Sequence, residues 1–160
     1  MRKIISVAVI LAMVLLSGNL SLYAAPNSPI NITFNGATVE FSDVQPIIAN
    51  GRVFITPSSF SQFGFHGIHT WSGTGIVHES GLRARSARMS INGDIFSAHY
   101  PTAAIFHRPS GSQFERGIVS DAPLFVQNDV VMMPVRLVLE SAGFLVDWDG
   151  DTQTVVVEKQ

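Results

Sequence analysis

One pattern occurs twice along this chain, and it limits the possible folds more than any other feature. Ser42-Asp43-Val44-Gln45-Pro46 corresponds to Ser120-Asp121-Ala122-Pro123. An apolar run and a polar turn follow in each case, Asn50-Gly51 and Asn128-Asp129, and then another apolar run. A second proline arrives eleven residues after the first, from Pro46 to Pro57 and from Pro123 to Pro134. Each copy next places a glycine with a phenylalanine behind it, Gly64-Phe65 and Gly143-Phe144, and then one of the chain's two tryptophans, Trp71 or Trp148. Upstream of each copy sits an Asn-Gly hairpin signal, ITFNGATVEF from Ile32 and MSINGDIFSA from Met89. Asn-Gly accepts the positive φ that tight hairpin turns need. The repeated unit is therefore hairpin, strand, helix and strand, and its first copy is eroded.

The second copy shows the physics of the unit. Val130 to Met133 is an apolar strand, and Pro134, lacking an N–H and with φ preset, suits the first helical turn. Val135, Val138, Leu139 and Ala142 recur at helical spacing, and Gly143 fits a left-handed position just past the helix. Val146 and Trp148 then point one way and Asp147 and Asp149 the other, as in a strand. Asp149-Gly150-Asp151 turns the chain, and Thr154 to Glu158 returns antiparallel. Trp148 is expected to cap the core between helix and sheet.

The first 24 residues stand apart. Met1-Arg2-Lys3 is cationic, Ile4 to Leu16 is apolar except for Ser6, and Leu22-Tyr23-Ala24-Ala25 offers small residues for cleavage. This is the secretory signal layout, with the cut expected after Ala24. These thirteen residues rise about 20 Å as a helix, short of the ~30 Å hydrocarbon core, so no permanent membrane span is expected after cleavage. With no cysteine in the chain, a lipoprotein anchor is excluded, and an oxidising compartment adds no staple. Residues 25–160 suffice for one domain that buries its own core. Within it the eroded copy spans 30–79, a linker and hairpin 80–96, an insertion loop 97–119, and the well-formed copy 120–160. Removing Arg2 and Lys3 takes the formal charge from −2 to −4, a balance that does not suit nucleic acid.

The residues Pro123, Asn128, Met133 to Arg136 (MPVR), Glu140, Ala142, Gly143, Val146 to Asp149 (VDWD) and the following TVVV resemble the copper amine oxidase N-terminal-like, or stalk, domain. The resemblance covers about Ile30 to Glu158 and is strongest from Asp121 onward. It implies an α+β fold, an antiparallel β-sheet twisted around one or two short helices, here assembled from two diverged copies. It also implies an exported, envelope-associated bacterial protein and an accessory module without chemistry of its own. Pro123, Pro134, Arg136, Gly143, Trp148 and Asp149 are its structural signature. The first copy departs from the pattern, since Pro57-Ser58-Ser59 has no arginine two residues on and Ser72 follows Trp71. Amine oxidase activity does not carry over. That reaction needs a tyrosine-derived quinone in an Asn-Tyr-Asp/Glu setting and three histidine copper ligands, and neither Tyr23 nor Tyr100 has such a setting.

Other chemistry is sparse. Asp147-x-Asp149-Gly150-Asp151 with Glu158 partly matches a calcium loop, but Thr152 stands where such a loop needs glycine, and Val155 to Val157 read as strand. His66-x-x-His69 offers two imidazoles at a common spacing with no carboxylate nearby, and His78, His99 and His107 are scattered. No cysteine or Gly-x-Ser-x-Gly elbow offers a nucleophile. No metal and no cofactor is expected, and Arg136 is read as a fork for a carboxylate or backbone carbonyls. The most individual stretch is residues 83–116, where Arg83, Arg85, Arg88, Arg108 and Arg116 face only Asp94 and Glu115, a net of +3. Residues 121–160 carry a net of −5, with Arg136 and Lys159 against seven acids. Tyr100, Phe106 and Phe114 lie among those arginines, and basic with aromatic residues suits an anionic cell-wall polymer or glycan, or another envelope protein. The expected function is a non-catalytic adhesion, spacer or binding module at the bacterial cell envelope. The alternatives are a small secreted hydrolase or metal-dependent enzyme on the same scaffold, and an inhibitor or ligand-binding module using the 97–119 loop.

Overall fold

The structure, a computed structural model, describes residues 29–76, 83–102 and 104–160. The expected signal segment lies outside the described residues, as does His78. The described residues begin with β1 (Asn31–Phe34) and β2 (Ala37–Thr38), followed by β3 (Ile47–Ala49) and β4 (Arg52–Ile55). A 3-10 helix (Ser58–Phe63) leads into β5 (His66–Ile76), β6 (Arg83–Ile91), β7 (Asp94–Tyr100), β8 (Ala104–Arg108) and β9 (Arg116–Val119). Then come β10 (Phe125–Gln127), β11 (Val130–Pro134), the helix α1 (Val135–Ser141), β12 (Phe144–Asp149) and β13 (Thr154–Lys159).

These strands form three sheets, in the orders β12-β13-β1-β2, β10-β11-β4-β3 and β5-β6-β7-β8-β9. The fold is thus mostly antiparallel β with short helices. Four two-residue turns close hairpins with positive φ at both positions: Asn35-Gly36, Asn50-Gly51, Asn92-Gly93 and Asn128-Asp129. This is the backbone that matches the twist of the flanking strands, and it is why asparagine leads each turn. β13 runs back along β12 as expected, and also pairs in parallel with β1 through Ile32↔Val155 and Phe34↔Val157. Ile32, Phe54, Phe60, Phe96, Met133 and Leu139 are fully buried within a core shared by all three sheets.

Two sequence expectations are corrected. Residues 97–119 are not a loop, because they hold the end of β7 and all of β8 and β9. Pro101, Pro109 and Gly111 cut this stretch into pieces of five and four residues, too short for alternation to register, and edge pairing rather than propensity makes them strands. Pro134 does not begin the helix. It closes β11 with an extended ψ of 123°, and helical geometry starts at Val135. Gly143 is left-handed, φ +87°, and its N–H donates to Glu140 O at 3.0 Å, ending α1 as expected.

Three carboxylates sit below the ordinary carboxylate range. Partial burial pushes Asp43 up, but the hydroxyls of Ser58 and Thr56 outweigh it, donating at 2.6 and 2.8 Å. Asp121 is lowered by its bonds to Arg52, and Asp149 by Thr152 and the amides of Thr152 and Asp151. Each folded pKa lies under an unfolded value of about 3.9, so its stabilisation is complete above that pH and is lost as pH falls through the folded pKa. Their contribution is expected to be constant from pH 7 to about 5 and to decline below about 4. Urea unfolding at stepped pH should show Asp43→Asn removing part of that decline.

Candidate functional site

Strand alternation gives the five-stranded sheet two unlike faces. On the inner face Ala87, Ala98 and Ile105 lie across from one another, as do Met89 and Phe96, and all are buried. The outer face carries three cross-strand rows. Trp71, Ser86 and His99 form the first. His69, Arg88, Ser97, Phe106 and Gly117 form the second, which spans all five strands. His66, Ser90, Ile95 and Arg108 form the third. A bulge between His66 and His69, with Gly67 at φ +57°, puts both histidines on this face.

The first two rows are each bonded across neighbouring strands. Ser86 Oγ lies 3.0 Å from His99 Nδ1, and Arg88 Nε donates to Ser97 Oγ at 3.4 Å. His99 meets the Phe106 ring edge-on at 5.8 Å, and the ring lies beside Gly117 across the pair of strands. Arg88 reaches Glu115 at 3.9 Å, a half-exposed pair that contributes little. Trp71 stays 47 % exposed. Among the described residues no carboxylate bonds His99, so the Ser86–His99 pair lacks the orienting acid of a hydrolytic triad.

Of the residues read from sequence as a binding patch, Arg88, Phe106 and Arg108 come together on this face. Arg83 opens β6 opposite Ile76. Arg85 belongs to the inner register and is buried, bonding Asp129 through Nη2 to Oδ1 at 2.6 Å and Nε to the carbonyl at 3.2 Å. Tyr100 pairs with Arg85 and packs against the core, and Arg116 lies across from His107. Phe114 is 79 % exposed in the turn before β9. Sequence reasoning weighed His66 and His69 only as metal ligands, read Trp71 as part of the repeat and left His99 scattered, so none of these, nor Ser86, was joined to the patch. The alternation of HTW against RSARMS was the signal that could have placed them.

Two concavities are also present. A cleft of about 180 Å³ lies beside Trp71, bounded by Thr70, Ser72, Ser86 and the Arg85–Asp129 pair. A larger groove of about 480 Å³ runs along α1, lined by Val53, Val119, Leu137, Val146 and Trp148. Its rim carries the Arg52–Asp121 pair and Arg136, whose Nε lies 3.9 Å from Glu140. Trp148 is half-buried against the core and lines this groove. Trp148→Ala is therefore expected to destabilise by roughly 1.5–2 kcal/mol, below the range for a fully buried ring, in a urea titration.

No curated protein and no solved structure matches the chain. The C-terminal segment from residue 114 to residue 160, which holds α1 and the Pro134, Arg136, Gly143 and Trp148 signature, matches the family model of the copper amine oxidase N-terminal domain.

Proposed function

We propose that this chain is an exported, non-catalytic stalk-type module that acts as an adhesion, spacer or binding domain at the bacterial cell envelope. The match of residues 114–160 to an accessory domain of the oxidases carries the reading. Its companion is the two-copy reading of the whole domain. In support, the order β10-β11-β4-β3 is symmetric about the β4–β11 seam, where Ile55 pairs with Met133 and Phe54 with Pro134. On each side of that seam a proline leads into a short helix ended by a left-handed glycine, Gly64 at φ +90° and Gly143 at φ +87°.

The test is fractionation of the full chain expressed in a bacterial host. A product cleaved after Ala24 should appear outside the cytoplasm, sediment with purified cell walls, and be released by about 0.5 M salt, which screens exposed charge pairs. An uncleaved product confined to the cytoplasm sinks the assignment.

A further inference from the structure

We infer that the outer face of the five-stranded sheet binds an acidic polysaccharide, with Trp71 and Phe106 as stacking platforms and Arg88 and Arg108 pairing with its carboxylates. The inference deepens the envelope reading above and rests on it for the source of the ligand. Most of this face comes from β5 to β8, before residue 114, so the matched family segment does not supply it.

On this face Trp71 is nearly half exposed and Phe106 half-buried, aromatic surface that a ligand can cover. A second copy is a poor cover for it. Face-to-face sheets need apolar inner surfaces, whereas here Arg88 occupies the middle row with His69 and Ser97 as its cross-strand neighbours. A sugar ring suits the face better. Its C–H surface lies flat on an indole or phenyl ring while its hydroxyls reach the groups around that ring, the mixed apolar and polar contact that aromatic residues favour.

On this face the Trp71 ring has the Ser86–His99 pair beside it in its own row, whereas Thr70, Ser72 and Asp129, which line the cleft next to Trp71, belong to the opposite register. Charge selects the polymer. The chain is net −2, yet this face sets two guanidiniums against one carboxylate, Glu115, with three imidazoles among them. Guanidinium pairs with carboxylate in a charge-assisted, two-point contact. Trp71 on β5 and Phe106 on β8 are three strand spacings apart, about 14 Å, so a chain of rings is required to span them.

The experiment titrates the mature full-length protein with polygalacturonate, with neutral dextran and with single-stranded oligo-dT. Trp71 fluorescence is read in a Trp148→Phe background, where it is the remaining tryptophan. Polygalacturonate should bind with salt-sensitive affinity and dextran far more weakly. Trp71→Ala should weaken binding about 10-fold or more, as for an aromatic anchor, followed by calorimetry since the reporter is lost. Arg88→Gln should weaken it about 5-fold and reduce the salt dependence. Arg116→Gln, on the other register, should leave it unchanged. Equal binding of dextran, preference for oligo-dT, or an unaltered Trp71→Ala affinity would overturn the inference. Wall sedimentation separates the two readings. A Trp71→Ala protein that sediments like the parent keeps the envelope role and removes this site from it. A parent that does not sediment but binds polygalacturonate through Trp71 keeps the site and removes the envelope role.

Discussion

Phe60→Ala is expected to lower the unfolding free energy by about 4 kcal/mol, close to half the stability of an ordinary domain of this size. Phe60 is fully buried and lies in the middle of a chain of aromatic rings. The chain starts at Phe144 on β12, continues to Phe34 on β1 at 5.9 Å, and reaches Phe63 at 5.4 Å. From Phe63 it passes to Phe60 at 6.3 Å, then to Phe65 at 5.4 Å and to Phe96 on β7 at 5.7 Å. His107 on β8 ends it, stacked on Phe96 at 4.4 Å. These rings join the sheet that holds both ends of the described chain to the five-stranded sheet. The 3-10 helix that carries Phe60 is six residues long and has no side-chain cap, so burial of Phe60 and Phe63 rather than propensity holds it in place. Removing the central ring leaves a cavity and loosens the segment between the sheets. Phe60→Leu keeps most of the volume and should cost about 1 kcal/mol. Urea unfolding followed by far-ultraviolet circular dichroism measures both, and a loss under about 1 kcal/mol for Phe60→Ala would show that the rings are not the joining core.

The sequence was most readable where local rules act alone. Asn35-Gly36 and Asn92-Gly93 close hairpins because their backbone preference decides the turn, and Gly143 ends α1 for the same reason. The alternation of Val146 and Trp148 against Asp147 and Asp149 survives in the structure because β12 has one wet face. Legibility failed where tertiary pairing outweighs pattern. β8 and β9 are short and broken by proline and glycine, and the parallel pairing of β1 with β13 joins residues more than 120 apart, which no window of sequence displays.

The candidate site was half legible for a related reason. Five arginines in one stretch were visible as charge, but a strand sends neighbours to opposite faces, so Arg85 and Arg88 part company. Arg85 turns inward to hold the β10–β11 turn, while Arg88 remains on the outer face. Trp71, matched to Trp148 by its place in the pattern, is exposed because β5 extends into the five-stranded sheet and presents it outward. In the corresponding position β12 sets Trp148 against α1, where it lines the groove. Two tryptophans that the sequence pattern aligns thus differ in the structure, Trp148 half-buried against the core and Trp71 presented outward.

Gly93→Ala tests the frame of that surface and should destabilise by about 2–3 kcal/mol, well above the effect of the same change at Gly36. The two glycines occupy matching Asn-Gly turns with φ of +86° and +80°, so the left-handed strain of an alanine, about 1 kcal/mol, is common to both. Their surroundings differ. A Cβ on Gly36 meets nothing within 4 Å, whereas a Cβ on Gly93 would overlap Ser110 Oγ and lie 3.1 Å from Ser110 Cβ. Ser110 cannot withdraw freely, because its N–H donates to Asp94 Oδ1 at 2.7 Å. The other oxygen of Asp94 bonds His107 Nε2 at 2.8 Å, so the strain passes directly into β8 and the ring stack on Phe96. The hydroxyl rotates at little cost, but the Cβ contact remains and must be relieved by backbone movement. Adding Ser110→Gly to Gly93→Ala should therefore recover the clash and leave the strain, bringing the double variant to within about 1 kcal/mol of Ser110→Gly alone. If Gly93→Ala and Gly36→Ala lose equal stability in urea, Ser110 does not press on this turn, and the register of β6 with β7 is set by the turn backbone alone.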